Sequence, residues 1–296
     1  GVGIQIVKDK ESDDLIIISP IEGTPAFDAG IKARDKILSI DDISTEGMNI
    51  EDAVKLIRGQ RGTKVKLEIL RGSKSFFKIL SREKIEIKSV SSKVNQTKNG
   101  LSVGYVRIKQ FNANASKETR DAIKDLETKK VAGYVLDLRS NPGGLLESSI
   151  DISRHFINKG VIVSTVSKNG LKETKRGNGQ ALTKKPLVVL VNEGSASASE
   201  IVSGAIKDNK RGKLVGKKTF GKGLVQSMRT LVDGSGLTVT VAKYLTPNGT
   251  DINKSGIIPD IEVKMNINPI LQREIGTRKD KQYRAGEKEL INIINR

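Results

Sequence analysis

The chain has no cysteine and no tryptophan, and its 296 residues include one histidine, His155. No thiol nucleophile, disulfide framework, cysteine-based zinc site or iron–sulfur cluster can be built from it. Any Ser-His-Asp arrangement could draw only on His155, which falls in a helical stretch with no carboxylate-and-serine context. Aromatic residues make up 3 %, too few for the stacking platforms that hold single-stranded nucleic acid. No run of about 18 apolar residues offers a transmembrane helix. No charged stretch followed by an apolar one opens the chain as a signal peptide would. The start at Gly1, inside a structured pattern, reads as a trimmed fragment whose address has been removed.

What is present is ordinary globular substance. Hydrophobic residues are 36 %, spread along the whole length, which fits about two domains. Lysine and arginine exceed acidic residues by 18. Such a balance attracts polyanions non-specifically. The lysines are dispersed, and no helix-turn-helix or zinc-finger spacing occurs, so a nucleic-acid partner is not expected. The charge leaves peripheral contact with an anionic membrane surface open.

Residues 1–84 alternate short apolar runs with turn signals, at 1–6, 15–18, 36–40, 65–69 and 76–79. That spacing predicts a small β-rich unit. It is interrupted by helical stretches at 25–30 and 49–58. Residues 85–100 read as a connector. From 101 to 265, strand candidates (103–108, 133–138, 186–191, 237–242) alternate with helix candidates (116–128, 145–158, 198–209), the pattern of an α/β layer fold. Residues 266–296 form an extension whose last part, 283–296, reads as a helix. The fold class is thus mixed, a β-rich unit followed by an α/β unit.

Three stretches could carry chemistry. In the first, a buried strand ends at Val191. A turn at Gly194 follows, and then Ser195, Ala196, Ser197, Ala198 and Ser199 open a helix. A serine at such a turn is accessible, and the helix N-terminus favours developing negative charge. A plain N-cap would look the same, and the stretch alone does not choose among the three serines. In the second, Lys222 sits between Gly221 and Gly223 before a strand-like run. If that run is extended, Lys222, Leu224 and Gln226 share a face. Close packing allowed by the glycines would favour the neutral amine that a general base requires, and Gln226 could orient it. A surface lysine is the plain alternative. The phosphate-loop pattern is incomplete. In the third, Asp137-Leu138-Arg139-Ser140-Asn141-Pro142-Gly143-Gly144 ends a strand in a turn. Its glycines could expose N–H groups for an oxyanion, or simply make the turn.

Together, residues 194–200, 219–226 and 137–144 resemble the signature blocks of the carboxy-terminal processing (tail-specific) proteases, a serine-lysine peptidase family. The resemblance covers nearly the whole chain. Ser197 and Lys222 stand 25 residues apart, which agrees with the family and selects the middle serine. The resemblance implies Ser197 as nucleophile, Lys222 as general base and Gln226 as its orienting partner. It also implies an oxyanion hole from the N–H groups of Gly143 and Ala198, with no metal and no organic cofactor. Residues 1–84 resemble a PDZ domain. Gly1, Val2, Gly3 and Ile4 look like its carboxylate-binding loop, and Ile4, Ile6, Ala53 and Ile57 are the expected apolar wall. The expected architecture is a PDZ domain (1–84), a serine-lysine protease domain (85–265) and a helical extension (266–296). The implied partners are proteins or peptides with a free C-terminus, which the enzyme would cleave upstream. Residues 133–144 are similar to cyanobacterial and chloroplast members, which trim the photosystem II D1 precursor. The family places the protein outside the cytoplasm, in a periplasm or thylakoid lumen. A non-catalytic PDZ scaffold that binds peptide tails is the alternative.

Overall fold

A computed structural model describes residues 1–9, 12–21, 23–85, 88–230, 233, 235–264 and 275–295. The chain separates into two units, Gly1–Ile87 and Lys88–Arg296.

The first unit is an antiparallel sheet with two helices. Its strands are β1 (Ile4–Lys8), β2 (Leu15–Pro20), β3 (Lys36–Ile40), β4 (Ile43–Ser44), β5 (Lys64–Arg71) and β6 (Lys74–Ser81). They lie in the order β1-β2-β3-β5-β6, with β4 against β3. Alternation sets the buried face. In β5, Val65, Leu67 and Ile69 are fully buried, while Lys64, Lys66 and Glu68 point the other way. Helix α1 covers Pro25–Asp28 and α2 covers Ile50–Ile57. The Asn49 carboxamide caps α2 by accepting the Asp52 N–H at 2.8 Å. One turn apart on α2, Ala53 and Ile57 enter the core. The buried carboxylate of Asp35 receives two Arg71 nitrogens at 2.7 Å, which ties the turn before β3 to the end of β5.

The second unit is built on a six-stranded sheet. Its members are β7 (Val90–Gln96), β8 (Ser102–Ile108), β9 (Gly133–Asp137), β12 (Leu187–Val191), β13 (Lys213–Gly216) and β16 (Ile261–Glu262). The order is β16-β13-β12-β9-β8-β7, parallel except for β7. A smaller sheet, β11-β10-β15-β14, joins β10 (Val161–Ser167), β11 (Lys172–Arg176), β14 (Leu224–Thr230) and β15 (Gly236–Leu245). Helices α3 (Ala115–Thr128), α4 (Leu146–Phe156) and α5 (Ala198–Asp208) share one core with Leu136 and Val189 of the large sheet. Helix α6 (Lys281–Ile294) covers the other face, burying Tyr283 and Leu290 among Val188, Leu190 and Val215. A central parallel strand is covered on both sides, which is why β9 and β12 read as unbroken apolar runs.

Two expectations change. Residues 85–100 are not only a connector, since β7 pairs along its whole length with β8. Its sequence, Val-Ser-Ser-Lys-Val-Asn-Gln, lacks the apolar run of a central strand because it is an edge. The expected helical extension is integral to the second unit. Its helix begins at Lys281, two residues before the predicted start, and is capped by Asp280. Residues 266–274 lie outside the described residues.

Candidate active site

Strands β9 and β12 pair in parallel, so the loops that follow them leave the sheet side by side. The carboxyl ends of parallel strands are where such sheets usually hold ligands. The two loops are stapled together. Ser195 donates its hydroxyl to the Leu138 carbonyl at 2.8 Å, and Ser199 donates to the Asn141 carbonyl at 2.9 Å. The Ala196 N–H donates to that same Asn141 oxygen at 3.0 Å. Asn192 accepts the Ser140 N–H at 2.7 Å. Ser195 and Ser199 are fully buried in these roles. Ser197 differs. It is half-buried and sits at the N-cap of α5 with φ 54° and ψ −113°. Positive φ in a non-glycine residue costs on the order of 1–3 kcal/mol and persists only where the surroundings impose it.

Glu200 is among the groups that hold this backbone. This carboxylate is fully buried and accepts four hydrogen bonds. Oε2 receives the N–H groups of Ser197 and Lys222, each at 2.9 Å. Oε1 receives the Thr219 hydroxyl at 2.6 Å and the Gly221 N–H at 2.7 Å. One oxygen therefore holds the backbone of both Ser197 and Lys222, and their nitrogens lie no farther apart than twice that distance. The buried Tyr244 hydroxyl donates to the Lys222 carbonyl and meets the Ser197 hydroxyl. Burial raises the Tyr244 phenol above its ordinary range, the Ser197 hydrogen bond pulls the other way, and the charge of Glu200 adds to the rise. The flanking glycine is needed for closeness. A Cβ at Gly223 would stand 2.7 Å from the Asn253 nitrogen. The Lys222 side chain is half-buried, and among the described residues no carboxylate pairs with its ammonium. Gln226 is exposed on β14 and makes no hydrogen bond to Lys222, since the strand begins only at Leu224. The expected orienting contact is absent here, and Glu200 and Tyr244 hold the lysine's backbone instead.

Gly143 comes against Ser197. A Cβ on Gly143 would stand 2.9 Å from the Ser197 Cβ and 3.0 Å from the Ala198 nitrogen. With φ at 103°, the position suits glycine alone. The Ala198 N–H lies in the first turn of α5, where no carbonyl of the helix itself reaches it. The Gly143 N–H donates to Asn141 Oδ1 at 2.9 Å. It is therefore occupied in this structure and must exchange that partner to reach an oxyanion. Behind the loop, Arg139 is buried between Asp137 and Asp280. Burial alone would lower its pKa, and the two carboxylates reverse this and raise it.

In the first unit, a groove of about 550 Å³ runs between the β1 end and α2. Gly1, Val2, Gly3, Ile4, Ile6 and Ile57 line it, together with Val54, Arg58 and Arg61. Ala53 does not. It is fully buried in the core, because the groove face of α2 runs through Val54, Ile57 and Arg58.

The sequence profile described as Peptidase family S41 matches residues 102–263, and that of a PDZ domain matches residues 16–71. The chain belongs to peptidase family S41. It is therefore a serine peptidase, and more narrowly a member of the carboxyl-terminal-processing proteases. It is 47 % identical to the carboxyl-terminal-processing protease of Synechocystis over 96 % of this chain and 67 % of that one. To the carboxy-terminal processing protease of Bacillus subtilis it is 40 % identical, over 97 % of this chain and 60 % of that one. A solved photosystem II D1 C-terminal processing protease matches at 37 % identity, covering 89 % of this chain and 72 % of its own, with a TM-score of 0.57. The crystal structure of a Bacteroides fragilis S41 protease shares the fold at 18 % identity, covering 99 % of this chain and 82 % of its own, with a TM-score of 0.65.

Glu200, Tyr244, Asn141, Val54 and Asp280 of this S41 peptidase take roles that the sequence patterns did not assign. For Glu200 a signal existed, since Ser197-x-x-Glu200 has the spacing of a capping box. His155 is buried on α4, with Nε2 at 3.0 Å from the Ser116 carbonyl. Among the described residues no three His, Asp or Glu side chains gather as a metal ligand set, and no helix is long and apolar enough to cross a membrane.

Proposed function

We propose that this S41 peptidase captures substrates by their free C-terminus and cleaves upstream with a Ser197–Lys222 pair. The single observation that carries this reading is the buried Glu200 carboxylate, which binds the backbone of Ser197 and Lys222 with one oxygen. Chemically, the Ser197 hydroxyl attacks the scissile carbonyl carbon while the Lys222 amine takes its proton. The C–N bond breaks as the lysine returns that proton to the leaving amine. Water, deprotonated by the same amine, then releases the acyl group from Ser197. The oxyanion is met by the Ala198 N–H, and by the Gly143 N–H once it leaves Asn141. Lysine accepts a proton only as the free amine.

The groove of the first unit supports the recognition half. β1 is an edge strand to which an extended peptide can add, the apolar wall is Ile4, Ile6, Val54 and Ile57, and Arg58 and Arg61 supply positive charge for a terminal carboxylate. A D1-like tail is favoured among substrates only by the 37 % identity to a photosystem II D1 C-terminal processing protease. An extracytoplasmic or lumenal site of action follows the same relatives. The test is cleavage of a soluble carrier protein ending in an apolar Leu-Val-Ala tail, with the amidated tail and Ser197→Ala alongside. Turnover by the wild type, weakened by amidation and abolished in Ser197→Ala, is expected. Residual turnover in Ser197→Ala overturns the nucleophile, and indifference to amidation overturns the tail.

A further inference from the structure

We propose that Asp280, which caps α6, is a positioning residue for peptide cleavage: through Arg139 it fixes the 139–143 loop that faces Ser197. This rests on the reading of that loop and Ser197 as the acyl-transfer site.

A guanidinium carries five N–H groups, and among the described residues five acceptor contacts meet Arg139. Nε and one terminal nitrogen donate to Asp137 at 2.9 and 2.5 Å. That same terminal nitrogen donates to Asp280 Oδ2 at 2.6 Å. The other donates to Asp280 Oδ1 at 3.0 Å and to Gln282 Oε1 at 3.1 Å. Asp280 is equally engaged. Its Oδ1 accepts the Gln282 and Tyr283 N–H groups at 3.0 Å, and its Oδ2 accepts the Gly276 N–H at 3.0 Å. One carboxylate thus starts α6 and grips a residue 141 positions away.

From Arg139 the loop has no slack. The Arg139 N–H donates to Asp137 Oδ1 at 3.0 Å, and the next residue, Ser140, is held at φ 55° by Asn192. The carbonyl of Asn141 takes the Ala196 N–H and the Ser199 hydroxyl, and its side chain takes the Gly143 N–H. A shift of Arg139 therefore reaches both Gly143 and the turn that presents Ser197. Anchoring α6 does not require the ion pair, because Tyr283 and Leu290 already bury it on the sheet. A buried ion pair is weak evidence for stabilisation, and here its geometry serves position.

The test compares Asp280→Asn with Leu290→Ala on the Leu-Val-Ala tailed carrier, with Ser197→Ala in parallel. Asn keeps an acceptor for the α6 cap but loses one of the two oxygens that hold Arg139. The expected result is a kcat at least tenfold lower, a KM within twofold of wild type, and partial recovery in Asp280→Glu. Leu290→Ala loosens α6 without touching Arg139, so it should lower the melting temperature and leave kcat per folded molecule within twofold. Wild-type kcat in Asp280→Asn overturns the proposal, as does an equal kcat loss in Leu290→Ala. Should Asp280→Asn not fold, Gln282→Met removes one Arg139 acceptor and leaves the cap. It should then lower kcat by a smaller factor, and an unchanged kcat overturns the proposal. Turnover retained in Ser197→Ala would refute the nucleophile while the Asp280 comparison still reads the loop.

Discussion

The two units reach function by opposite routes. The first presents a surface, a groove whose apolar wall lies between an edge strand and α2, with Arg58 and Arg61 on its lining. Most of its polar groups stay at the surface, and apart from Asp35, held by Arg71, and Arg82, held by the Ile57 carbonyl, its core is largely hydrocarbon. The second buries its polar groups. Glu200, Asp137, Arg139 and Asn141 are all inaccessible or nearly so, and each is satisfied by neighbours rather than by water. A surface of small contacts degrades gradually when one contact is removed. A web of buried hydrogen bonds does not, because each lost partner leaves another group unpaired in a region water cannot reach. Substitutions in the second unit should therefore act on turnover, and those in the groove on affinity.

Glu200→Gln should break this comparison hardest if it is mistaken. A glutamine offers one acceptor oxygen where the glutamate offers two, and its amide group would face N–H donors. Stability should drop by about 1–3 kcal/mol from the buried donors left unpaired. With the Ser197 backbone no longer held, turnover should fall by roughly 10²-fold or more, the scale seen when one preorganised donor is removed from an active site. The measurement is kcat of the folded variant beside its denaturation curve. A turnover near wild type would mean that the positive φ of Ser197 is imposed by something other than this carboxylate.

Much of this was readable from residues, and the unread part has a common cause. The alternation of β5, the unbroken runs of β9 and β12, and the small residues at 194–199 are local patterns, so sequence carries them. The choice among three serines is not local. Ser195 and Ser199 differ from Ser197 only in what the neighbouring loop offers them, and that loop lies more than fifty positions away. Asp280 is invisible for the same reason, since nothing near it in sequence announces Arg139. Ala53 and Val54 were confused because a helix face is defined to about one residue, and the core and the groove lie on adjoining faces of α2.

Val54→Asp should act on the other arm of the comparison. It puts a charge into the apolar wall while leaving Ala53 and Ile57 in the core. Losing the burial of one apolar tail residue is worth about 1.4 kcal/mol or somewhat more, so KM for the tailed carrier should rise by roughly tenfold. The loss belongs in KM, with kcat at saturation retained. Steady-state kinetics on the free and amidated tails separate the two, and a fall in kcat alone would place the groove outside tail recognition.

The smallest expected effect uses the single histidine, which belongs to the second unit. Burial holds the His155 imidazole below its ordinary pKa, and this outweighs the hydrogen bond to the Ser116 carbonyl, which pulls the other way. The folded state therefore keeps His155 neutral at a pH where the unfolded chain takes up a proton. Stability from this source is complete above about pH 6.5, the unfolded value, and is lost as pH falls below it. One proton limits the slope to about 1.4 kcal/mol per pH unit. Melting of the whole chain between pH 7.5 and 5.5 should show this decline, and His155→Gln should flatten it. The first unit contains no histidine. Its groove is lined instead by the Gly1 amine, whose pKa burial holds below its ordinary value with Arg82 and Arg58 adding to the fall, so any pH dependence of tail binding there follows that amine and not His155.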